Sequence, residues 1–66
     1  MTQAQLKWLA SYDRDTGALS THAARHCGYG DPLLAGLVVN RGPIEAPDLF
    51  ITAKGMAAVV HFEQRT

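Results

Sequence analysis

The chain is poor in the features that most often announce an activity. It has a single cysteine, Cys27, so no disulfide within the chain can brace it. Charge of either sign is not in excess: six Lys and Arg balance six Asp and Glu, for a formal net charge of zero. A domain that grips nucleic acid through phosphate carries a surplus of Lys and Arg. A mimic of DNA carries the opposite, a strong acidic excess. Neither holds here. No apolar run approaches the ~20 residues that cross a bilayer, and the amino-terminal residues lack the basic-then-apolar layout of a signal peptide. A cytoplasmic protein without a membrane partner is expected. Internal repeats, low-complexity tracts, linkers and Gly-rich phosphate loops are also absent.

What is present is an ordinary globular composition, 47% apolar and 18% charged. Sixty-six residues make one domain, 1–66, near the lower size at which a hydrophobic core holds a fold unaided. Thr2 with Gln5 has the form of a capping box, and Leu6, Leu9 and Ala10 then recur at helical spacing. This predicts a helix over Gln3–Asp13, with Trp8 and Tyr12 as a second, aromatic flank. Asp15, Thr16 and Gly17 supply turn chemistry. Ser20 is a good N-cap for a helix over Thr21–Cys27, and Gly28 is its stop. Ala24 and Cys27 are expected to face the core.

The longest informative stretch runs from Asp31 to Gly55. Asp31 as cap and Pro32 as first residue predict a third helix, carried to Arg41 and ended by Gly42 and Pro43. Leu34, Leu37 and Val38 form its expected buried stripe, which leaves Leu33, Ala35, Gly36, Val39 and Asn40 outward. Ile44-Glu45 and Leu49-Phe50-Ile51 are the strand candidates, joined by Ala46-Pro47-Asp48. Alternation sets Phe50 opposite its two neighbours. Thr52 can cap a last helix with Met56, Val59 and Val60 inward. Gly55, unfavourable in a helix by propensity, marks close packing against the hairpin.

Candidate chemistry is sparse. His22, Arg25 and His26 share one helical face, but two histidines fall short of the three or four ligands of a zinc site, so a solvated face is expected and no metal. Adjacent helical residues point about 100° apart, which keeps His26 from serving Cys27 as a base. Asp13 and Asp15 read as solvated turn residues. No catalytic residue, enzyme activity or cofactor is expected.

The paired helices of Ser20–Cys27 and Asp31–Arg41, the exit Arg41-Gly42-Pro43-Ile44-Glu45, and Phe50-Ile51-Thr52-Ala53-Lys54-Gly55 resemble the winged helix-turn-helix superfamily over nearly the whole chain. The resemblance implies an α+β winged-helix-like domain of three helices, a short two-stranded wing and a final helix. It further implies that the third helix reads DNA. Here the outward positions of that helix offer only Asn40 and Arg41 for the task, and the wing carries Glu45 and Asp48 with no basic residue.

Two non-enzymatic readings stay open. The preferred one is a protein-interaction module that binds a larger protein or complex, as a monomer or weak homodimer, through Leu33, Val39, Asn40, Arg41, Phe50, His22, Arg25 and His26. In size and style the chain is similar to phage and mobile-element accessory proteins of the anti-CRISPR type, which implies steric blocking of a host defence complex. The alternative is a small DNA-binding transcriptional regulator that contacts nucleic acid through Ser20, Thr21, Arg25, Asn40 and Arg41.

Overall fold

The computed structural model describes residues 2–64. The element order is α1 (Gln3–Ala10), α2 (Thr21–Cys27), α3 (Gly30–Leu34), β1 (Val38–Asn40), β2 (Leu49–Ile51) and α4 (Ala53–Gln64). This is an α+β domain with the winged-helix-like layout of three helices, a two-stranded wing and a final helix.

Local chemistry accounts for the ends of the first two helices. Gln5 N–H donates to Thr2 Oγ1 at 3.2 Å, and Thr2 N–H donates to Gln5 Oε1 at 2.8 Å, closing the capping box. α1 stops at Ala10, three residues short of Asp13. There Ser11 Oγ donates to the Trp8 carbonyl at 2.6 Å and offers the last turn an alternative to the helical ladder. Ser20 Oγ accepts from Ala23 N–H, and Gly28 ends α2 at positive φ, as the sequence predicts.

The third helix is where the sequence reading fails. α3 spans five residues rather than continuing to Arg41, and its N-cap position is Tyr29, with Asp31 inside the first turn. Gly36, at φ +79°, takes the left-handed conformation. Gly36 N–H donates to the Leu33 carbonyl and Leu37 N–H to the Pro32 carbonyl, the paired bonds of a Schellman stop. The β-branched pair Val38-Val39 then enters a strand, where such side chains pack well. Leu34, expected in the core, is 88% exposed, whereas Leu37 and Val38 are buried as expected.

The wing is shifted accordingly. β1 pairs antiparallel with β2 in the register Val38↔Ile51, Val39↔Phe50 and Asn40↔Leu49. Ile44-Glu45 is therefore not a strand but part of the turn between them. On the far side of β2, Leu19 N–H donates to the Leu49 carbonyl and Ile51 N–H to the Gly17 carbonyl, with a bridge between Ala18 and Phe50. The segment 17–19 thus flanks β2 opposite β1.

One cluster forms the core: Trp8, Leu9, Leu19, Ala24, Leu37, Val38, Leu49, Ile51 and Val59, with Cys27 packed at its margin. Trp8 Nε1–H donates to the Ser20 carbonyl at 2.9 Å, so its polar edge is satisfied while its ring is buried. Gln5 is buried with both ends of its amide used, Nε2 donating to the Gly28 carbonyl at 3.0 Å. α4 turns Gly55, Ala58 and Val59 inward, at i, i+3 and i+4, and Phe62 at i+7 is half-buried. Met56 and Val60, expected inside, lie on the outer side instead. The physical reason is the near-contact of the Gly55 backbone with Leu37 and Ile51, which sets the rotation of the helix.

Candidate interaction surface

The antiparallel register sorts the hairpin into two faces. Leu49 and Ile51 turn inward with Val38, so Val39 and its partner Phe50 turn outward. Ala18, bridged to Phe50 from the other side, extends the same row. Arg41 follows Val39 by two residues and returns to that face. Its guanidinium carbon lies 4.8 Å from the Phe50 ring centroid, a cation–π stack that leaves the ring half-buried and the charge in water. Val39, Phe50 and Arg41, all candidates from the sequence, are thereby brought together, although Val39 and Arg41 come from a strand and its exit and not from a helix.

The connection 41–48 beside this face is tightly ordered. Asn40 Oδ1 accepts from Gly42 N–H at 2.9 Å and from Asp48 N–H at 3.0 Å, and Arg41 N–H donates to the Asp48 carbonyl at 2.9 Å. Ala46 N–H closes a turn onto the Pro43 carbonyl. Thr21 Oγ1 donates to the Pro47 carbonyl at 3.3 Å and ties the loop to the start of α2. With Pro43 and Pro47 fixing two φ angles, this loop holds Ile44 out at 91% exposure. Glu45 and Asp48 are its charged residues beyond Arg41.

The other candidates scatter. His22, Arg25 and His26 do share the outer face of α2, all exposed. The two imidazoles meet edge to face, with centroids 5.0 Å apart and planes at 75°. Leu33 sits on α3 at 36% exposure, on a different element from the sheet row. Of the residues assigned to DNA contact, three are already engaged. Ser20 caps α2, Thr21 holds Pro47, and Asn40 Oδ1 holds the loop. Arg25 and Arg41 are the exposed cations of that set.

Sequence reasoning missed Leu34, Ile44, Met56 and Val60 as exposed apolar side chains. The sign for Ile44 was its place between two prolines, which favours a fixed turn over a strand. No three His, Cys, Asp or Glu side chains among the described residues converge as a metal cluster. No helix among them is long and apolar enough to cross a membrane. The chain matches no protein-family model, no curated protein and no solved structure.

Proposed function

We propose that the chain is a non-enzymatic protein-binding module that acts by covering a surface on a larger partner. The observation that carries this reading is the outward sheet face, where Val39 packs beside Phe50 under the Arg41 guanidinium. Aromatic rings and arginine are among the side chains enriched in protein interfaces. The ordered loop next to it supports the same reading. Its conformation is fixed before binding, so little entropy is lost on association, and Glu45 and Asp48 oppose approach to phosphate. Steric blocking of a host complex, as the likeness to phage accessory proteins implies, needs no more than such a surface.

The test combines Val39→Asp with two binding assays. Both residues of the pair lie outside the core cluster, so the variant keeps the fold. Partner capture from host lysate by the wild-type chain is expected, with capture lost in Val39→Asp. Capture that survives the substitution removes this face from the interface. In parallel, fluorescence anisotropy of a labelled random duplex at low salt should show no binding at high micromolar protein. Binding that vanishes with moderate salt would instead support the regulator reading, with Arg25 and Arg41 as its contacts.

A further inference from the structure

We propose that His22 and His26 form a two-histidine chelate for a borderline divalent cation, with Zn²⁺, Ni²⁺ and Cu²⁺ as the class it takes. On its own the sequence offers a pair of ligands one helical turn apart and no third. The structure adds that both rings stand on the exposed face of α2 and meet edge to face, with centroids 5.0 Å apart. A metal–nitrogen bond of about 2.1 Å puts a ring centre roughly 3.2 Å from the ion, so two imidazoles at a tetrahedral angle have centres about 5 Å apart. The observed separation, also that of an ordinary edge-to-face pair, is compatible with a shared ion, which asks for rotation of the rings to aim one nitrogen of each at it.

The surroundings decide the class of ion. Imidazole nitrogens suit Zn²⁺, Ni²⁺ and Cu²⁺, whereas Mg²⁺ and Ca²⁺ require oxygen ligands that the pair does not supply. Arg25 shares this face and opposes the cation, while His26 lies in the last turn, where the helix end favours positive charge. Cys27 is not a ligand in this geometry. Its thiol points to the Ala24 and Gly28 carbonyls, at 3.9 and 3.6 Å. The pair therefore makes an open site, with the remaining coordination positions of the ion filled by water.

Such a site has a consequence for this chain in particular. α2 has seven residues, below the length at which an isolated helix persists in water, and no disulfide braces the domain. An ion held across residues i and i+4 clamps that turn. Because the folded helix alone presents both rings together, binding shifts the folding equilibrium toward the native state.

The experiment is urea unfolding of the full chain with and without ZnCl₂, followed by Trp8 fluorescence. Zinc at about a hundred times its dissociation constant raises the folded-to-unfolded ratio by up to about a hundredfold, and by about tenfold or more if the unfolded chain also binds weakly. The rise is expected to disappear in His22→Ala and in His26→Ala, and to persist in Cys27→Ser and His61→Ala. A ¹H–¹⁵N imidazole spectrum should show zinc-dependent shifts at His22 and His26. No rise in the wild type, an equal rise with MgCl₂, a rise that survives both histidine substitutions, or its loss in Cys27→Ser would each overturn the assignment.

Discussion

Gly55 and Leu37 lie closer together than a residue with a side chain would allow. A Cβ placed on Gly55 would collide with the Leu37 carbonyl oxygen and come within 2.6 Å of Ile51 Cγ1. This approach seats α4 on the sheet and directs Val59 into the core. It also explains a glycine where helix propensity alone disfavours one.

Gly55→Ala should consequently destabilise the domain, although alanine is the better helix former by about 1 kcal/mol. The clash is with backbone as well as side chain, so overpacking outweighs propensity, and a net loss of about 1–3 kcal/mol is expected. Urea denaturation checks the sign. Equal or greater stability would show that the sheet and α4 separate without cost.

Asn40→Ala should loosen the 41–48 loop. Two backbone N–H groups lose their acceptor, at about 0.5–1.5 kcal/mol each. Faster amide exchange is expected at Gly42 and Asp48, whereas Asn40→Asp, which keeps the acceptor, loses less. Unchanged exchange would mean that the prolines hold the loop unaided.

Thr52→Ala should fray the start of α4. Thr52 Oγ1 accepts from Gly55 N–H at 3.0 Å and donates to the Gly36 carbonyl at 2.7 Å, linking the cap of α4 to the stop of α3. The cost is about 0.5–2 kcal/mol, and Thr52→Ser should recover most of it. A serine variant as weak as alanine would point to the Thr52 methyl instead.

Leu34→Lys and Ile44→Lys should each leave stability within about 0.5 kcal/mol of the wild type, because both side chains stand in water. Leu49→Ala, at a fully buried position, should cost about 2–5 kcal/mol. Thermal melts of the three variants compare them directly. A large loss at Leu34 would return it to the core.

Much of the architecture was legible because it is written in short-range chemistry. Thr2 with Gln5, Ser20 with Gly28, and Thr52 each satisfy free helix-end groups within a few residues, and each does so in the structure. The alternation of Leu49, Phe50 and Ile51 likewise survives in their burial. The candidate site was legible in part. Val39, Arg41 and Phe50 were named from the sequence, but their meeting depends on a strand register that was read as helix.

The remainder was not local. Val38-Val39 fits a helix by spacing and a strand by β-branching, and Gly36 together with pairing to β2 decides for the strand. Along α4, Met56 to Val60 is apolar on every side, so periodicity selects no face. The sequence by itself determined where α1, α2 and α4 begin, where α2 ends, and that the chain is an α+β domain without surplus charge. Only the tertiary structure decided which apolar side chains are covered, because that depends on how closely distant backbones approach, as Gly55 and Leu37 do.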